Sequence, residues 1–147
     1  MKKPLFWEMF GLLFLVGILN YFAYTYHLYW RIKEFDSLLH FLGGATLAVF
    51  FLWLYFFSGA FSPLKRDLPF FLVIAIVGSM FVAITWEIYE LILGEARFAV
   101  DEYHFDTLMD LAMDTLGMMA ACFYGYLKEI KPGLPVVDAK ISDSQTS

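Results

Sequence analysis

DTLMDLAMDTLGMMAACFYG, residues 106–125, sets Asp106, Asp110 and Asp114 at four-residue intervals and follows them with Gly117, Ala121 and Gly125. Residues four apart share one face of an α-helix, drifting about 40° per step. Read as a helix, this stretch has a face that is first acidic and then small. From the helical rise, Asp110 lies about 6 Å and Asp114 about 12 Å beyond Asp106. Asp106 is placed to cap a helix start, but capping does not reach the other two. Three aspartates on one face repel each other unless a divalent cation, a shared proton or a basic side chain offsets them.

Two more stretches follow the same plan. Asp36, His40, Gly44 and Ala48 share one face, as do Ala75, Ser79, Ala83 and Glu87, with Glu90 one turn beyond. Each stripe is small in one half, where helices can approach closely, and ionisable in the other. Three helices clasped at one end and opened at the other enclose a polar pocket. The first apolar segment carries only Glu8 and Asn20 as strongly polar groups and reads as peripheral.

The surroundings of these stripes are apolar. Of the 147 residues, 61% are hydrophobic and 20% aromatic, against about 45–50% apolar in soluble domains. Four windows, about 4–26, 38–60, 68–93 and 106–127, reach the length that crosses a hydrocarbon core. The expected fold is therefore all-α: a polytopic membrane four-helix bundle over residues 1–131, with a disordered cytoplasmic tail over 132–147. The first window is too long for a signal-peptide core, and no small-x-small cleavage site follows it. Tyr24, Tyr26, His27, Tyr29 and Trp30 follow instead, as in an interfacial aromatic belt. Pro4 is placed to open the first helix and Pro69 the third, with Gly94 as a C-cap. Residues 95–105 read as a loop.

Lys2, Lys3, Lys65, Arg66, Lys128, Lys131 and Lys140 fall on one side of such a bundle, and Arg31, Lys33 and Arg97 on the other. The basic bias predicts a multi-pass membrane protein with both termini cytoplasmic. Ten of the fifteen acidic residues then lie in the outer half, within a net charge of −5. That face favours cations or cationic head groups and disfavours nucleic acid.

A charge at the bilayer centre costs about 2.5–3.5 kcal/mol on insertion scales, so intramembrane ionisable groups mark function. The candidate pocket residues are Asp36, His40, Glu87, Glu90, Arg97, Asp106, Asp110 and Asp114. Asp36 lies one turn from His40, as an orienting carboxylate lies beside a metal-ligating or acid–base histidine. His40, Glu87, Asp110 and Asp114 are the candidate metal ligands. Their oxygens suit Mg²⁺, Ca²⁺ or Mn²⁺, and the imidazole admits Zn²⁺ or Fe²⁺. A proton-shared network without metal satisfies the same residues. Arg97 is placed to pair with the acids or hold a phosphate, while His27 and His104 read as surface groups. Cys122 is the only cysteine, which excludes an intrachain disulfide and a multi-cysteine metal centre.

Asp36-Ser-Leu-Leu-His40-Phe-Leu-Gly-Gly44, Trp86-Glu87-Ile-Tyr-Glu90 and the Asp106 to Gly117 stretch resemble the YjdF-like family of small bacterial inner-membrane proteins. A more distant resemblance links Asp36, His40, Phe41, Glu90, Arg97, Asp110 and Gly117 to VanZ-like membrane proteins, which are tied to glycopeptide resistance in the cell envelope. Asp114 stands where the VanZ-like pattern carries Asn. The resemblance spans about residues 36–125 and implies a membrane bundle without an assigned activity.

The functional expectation is an outward-facing acidic and histidine site, able to bind metal, that acts on an envelope lipid or small envelope molecule. The alternatives are a cation- or proton-coupled transporter and a structural or assembly protein. No Ser–His or Cys–His nucleophile arrangement is evident, so a covalent hydrolytic route has no support.

Overall fold

A computed structural model describes residues 5–32, 34–63, 65–93 and 100–129. Pro4, Gly94, Arg97 and the 132–147 tail lie outside these residues.

The elements, in order, are α1 (Phe6–Thr25), a single turn α2 (Leu28–Arg31), α3 (Phe35–Leu52), a π-helical turn (Trp53–Phe57), α4 (Leu68–Leu93) and α5 (Val100–Glu129). Among the described residues there is no strand. Three segments, Phe6–Thr25, Phe35–Phe57 and Leu68–Ile92, are long and apolar enough to cross a membrane. The acidic half of α5 keeps that helix from the same apolar level, although at 30 residues it has the length.

Several boundaries differ from those expected. The second window does not run on as α-helix to residue 60. It ends at Leu52 and widens into the π turn, where the Ser58 amide donates to the Trp53 carbonyl five residues back, at 2.9 Å. The Arg66 guanidinium donates to the Phe56 carbonyl at 3.0 Å, satisfying one of the carbonyls a helix end leaves open. Asp67 caps α4 by accepting from the Phe70 amide at 3.0 Å, so the cap precedes Pro69. The fourth helix begins at Val100, inside the stretch expected to be loop. Asp106 is therefore an interior residue of α5 and not its N-cap. The acid-bearing face gains a turn and a half of helix ahead of it.

α3 is the hub, packing most extensively on α5, then on α4 and α1. α3 and α5 run in the same direction and meet backbone to backbone. A Cβ on Gly44 would sit 2.2 Å from the Asp114 carbonyl oxygen, and one on Gly117 would sit 2.0 Å from the Phe41 carbonyl oxygen. Only glycine permits that approach. On α4 the buried positions are Phe71, Ala75, Ser79, Ala83 and Glu87, a single four-residue ladder. Below the crossing the core is sealed by Ala48, Val49, Leu52, Phe71, Met118 and Cys122. Cys122 is a buried free thiol in that core.

α1 lies against the side of α3, and its first residues reach the far end of α5. Leu5 is buried at Gly125, and Glu8 pairs with Lys128. Its outer face is exposed, with Trp7 at 78% and Phe14 at 71%, as is Phe81 on α4 at 74%. Contiguous apolar surface of this extent is what a lipid-facing helix presents.

Candidate functional site

The ionisable ends of the three stripes converge at one end of the bundle. His40 projects from α3 between two aspartates of α5. Its Nδ1 lies 3.2 Å from Asp114 Oδ2 and its Nε2 lies 3.8 Å from Asp110 Oδ2. Both aspartates are almost fully buried, at 2% exposure for Asp110 and 4% for Asp114. A carboxylate accepts and does not donate, which assigns a proton to Nδ1. The Nδ1–H therefore donates to Asp114, and Nε2 faces Asp110.

The local sequence explains the fit. Asp114 can lie beside the imidazole because α3 has glycine at both neighbouring positions. A Cβ on Gly43 would already touch Asp114 Oδ1, at 3.9 Å, and Gly44 lets the α5 backbone in. One turn separates Asp110 from Asp114, so the two carboxylates bracket the ring from one helix face.

The other candidates surround this trio. Oxygens of Asp36 and Asp110 and a nitrogen of His40 lie within 4.8 Å of one another, as do ligand atoms of His40, Glu87 and Glu90. Glu87 is buried, and the Glu90 carboxylate accepts from the Trp86 indole at 3.0 Å. Asp106 lies two turns from Asp114 on the same face of α5 and is half-buried. The Asp114 carboxylate lies on the Nδ1 side of the imidazole.

A cavity of about 410 Å³ opens in front of the trio. Its floor is α3, through Asp36, Leu39, His40, Gly43, Thr46 and Leu47. Its walls are α1, with Leu13, Val16, Asn20 and Tyr24, and α4, with Val82, Trp86, Tyr89 and Glu90. Tyr29 of α2 closes the top, its hydroxyl donating to Asn20 Oδ1 at 2.5 Å, and Asp114 stands at the back. From Asp36 to Leu47 is eleven residues, so the cleft is about 16 Å deep, close to half of a roughly 30 Å hydrocarbon core. One end is acidic and aromatic. The other is aliphatic.

α1 is not peripheral as its sequence suggests: it lines the cleft together with α2. Asn20 was visible as an isolated amide in an apolar span, a signal of interior placement. Tyr24 and Tyr29 have the sequence setting of belt residues, yet both line the cleft. The chain reverses between them through His27, in the left-handed region at φ 54°, and no spacing rule anticipates that fold-back.

This arrangement can supply oriented carboxylates, a histidine with one nitrogen fixed and the other directed at acids, and an apolar slot reaching it from one side. No curated protein and no solved structure matches the chain. The family model described as "Predicted membrane protein (DUF2238)" matches residues 4–130, which takes in all the elements from α1 to α5. The chain, an integral membrane protein by its three apolar spanning helices, belongs to that family.

Proposed function

We propose that this protein takes an amphiphile from one leaflet of the membrane into the cleft between α1 and α4 and presents its polar end to the acid–histidine cluster. The observation that carries this reading is the shape of the cleft. It is one leaflet deep, polar at one end and aliphatic at the other. An acyl or prenyl chain fits beside Leu13, Val16, Leu47 and Val82. The head group meets Asp36, His40 and Glu90 directly or through a cation. Carboxylates accept hydrogen bonds and attract positive charge, so amine-bearing head groups suit this end. Tyr24, Tyr29, Trp86 and Tyr89 add faces on which an ammonium can rest.

The transporter reading has less support. Beneath the acids the α3 and α5 backbones touch at Gly44 and Gly117. Among the described residues, the buried polar side chains below that crossing are Thr46, whose hydroxyl donates to the Leu42 carbonyl, and Ser79. A translocation path needs more polar groups than that.

The reading also has α5 cross the membrane, the acid end face outward and both termini face the cytoplasm, following the Lys and Arg bias. In a Cys122→Ala background, cysteines at Glu34 and Phe105 should react with an impermeant maleimide in intact cells. Cysteines at Ser62 and Lys128 should react only after permeabilisation. The reverse pattern contradicts the orientation, and labelling of Phe105 and Lys128 from the same side contradicts a spanning α5. The motifs at Asp36–Gly44, Trp86–Glu90 and Asp106–Gly117 support YjdF-like kinship, with an envelope lipid or small envelope molecule as the ligand.

Photolabelling tests the cleft itself. A diazirine lipid should label Val16, Leu47 and Val82 saturably in nanodiscs, whereas labelling of the lipid-facing Phe81 should rise linearly with analogue concentration. Leu47→Trp should abolish the saturable component. Linear labelling at all four positions rejects the proposed site.

A further inference from the structure

The cluster at the end of the cleft is laid out as a metal site with an assigned division of labour. We propose that Asp36, His40 through Nε2, and Asp110 hold one divalent first-row metal ion, and that Asp114 is a positioning residue that fixes the imidazole by accepting from Nδ1–H. This deepens the amphiphile reading, because the ion occupies the polar end of the same cleft.

Three observations support it. First, the donor atoms of Asp36, His40 and Asp110 lie within 4.8 Å of one another, with His40 Nε2 3.8 Å from Asp110 Oδ2. Donors about 2.1 Å from a common ion stand roughly 3–4 Å apart, so a small contraction closes the shell. Second, the carboxylate on Nδ1 at 3.2 Å gives the carboxylate–histidine arrangement that selects the tautomer with Nε2 free to ligate. An imidazole serving only to neutralise the two aspartates needs no third carboxylate such as Asp36 beside it. Third, access is built in. Asp36 and His40 line the cleft while Asp110 lies behind them, so an ion held there keeps coordination positions open toward an incoming head group. Glu87 and Glu90 bring further carboxylate oxygens to the same imidazole from α4.

The mixed donor set favours Mn²⁺, Fe²⁺ or Zn²⁺ over Mg²⁺ and Ca²⁺, which prefer all-oxygen shells. No step of a reaction follows from this alone. The consequence is a polar end able to accept a phosphate or hydroxyl oxygen as well as an amine.

The test uses full-length, tag-free protein purified without chelator, equilibrated with Mn²⁺ or Zn²⁺, desalted and analysed for metal by mass spectrometry. About one ion per chain is expected for the parent and for Glu34→Gln, an exposed control. His40→Gln, Asp36→Asn and Asp110→Asn should fall to background. Asp114→Asn should retain the ion with affinity about 10–100-fold lower, the usual cost of losing an orienting partner. Because these variants could fail to fold, the parent is also melted with and without EDTA. Its melting temperature should fall with chelator and recover with Mn²⁺ or Zn²⁺ but not with Mg²⁺. Background metal in the parent, an unchanged melt in EDTA, or full loading of both His40→Gln and Asp110→Asn would overturn the proposal. Saturable lipid labelling of metal-free parent separates the two readings. If labelling persists while no metal binds, the ion is rejected and the cleft stands. If metal binds and labelling is linear, the cleft is rejected and the ion stands.

Discussion

Gly117→Leu and Gly44→Leu are expected to abolish accumulation of folded protein. At both positions a Cβ would enter the backbone of the facing helix, 2.0 Å from the Phe41 carbonyl oxygen and 2.2 Å from the Asp114 carbonyl oxygen. A backbone cannot swing aside as a side chain does, so α3 and α5 must separate. Overpacking a core by a methylene group costs about 1–3 kcal/mol, and separating the two most extensively packed helices costs more. Separation also pulls Asp114 from His40. The other glycines grade the effect. Gly78→Ala meets only the Phe51 ring, at 2.6 Å, and should be milder. Gly11→Ala and Gly17→Ala have nothing within 4 Å and should be neutral. Detergent-solubilised yield and size-exclusion profile measure the series. Parent-like behaviour of Gly117→Leu contradicts the α3–α5 crossing.

His40→Leu is expected to lower stability by about 3–5 kcal/mol, the range for removing one member of a buried charged group. It leaves Asp110 and Asp114, both nearly inaccessible, without the imidazole that sits between them. The loss comes from stranded carboxylates rather than from missing volume. Neutralising them in addition, as His40→Leu with Asp110→Asn and Asp114→Asn, should therefore recover part of it, a strongly non-additive result. Thermal unfolding in one detergent gives the comparison. Additive losses across the three positions would show that the side chains do not share a site.

The sequence carried the buried faces well because four-residue spacing is a geometric property of one helix. Ala75, Ser79, Ala83 and Glu87 form a ladder in the chain and a ladder in the core for the same reason. His40, Asp110 and Asp114 could be assigned to a common depth from topology and helical rise alone. Which nitrogen of His40 faces which aspartate was not legible, because it depends on how far Gly43 and Gly44 let two backbones approach. Spacing alone makes Asp114 equivalent to Asp110, and only its place beside Nδ1 distinguishes the two. Helix ends were less legible than faces. The π turn at Trp53–Phe57 lies in an apolar run with no Gly or Pro to signal it, and α5 starts at Val100 through a polar stretch that reads as loop. The cleft was the least legible feature. It is made by α1 leaning on α3 apart from α4, and pairing between helices is not encoded in the period of any one of them.

Native mass spectrometry of the protein released from mild detergent tests most directly whether the acid–histidine end serves an amphiphile. The parent is predicted to retain one amphiphile per chain. Leu47→Trp, which fills the aliphatic end, should lose it, and the lipid-facing Phe81→Trp should keep it. Retention of the same adduct by Leu47→Trp, or bare parent protein under conditions that preserve its fold, would contradict a cleft that carries lipid-like molecules to Asp36 and His40.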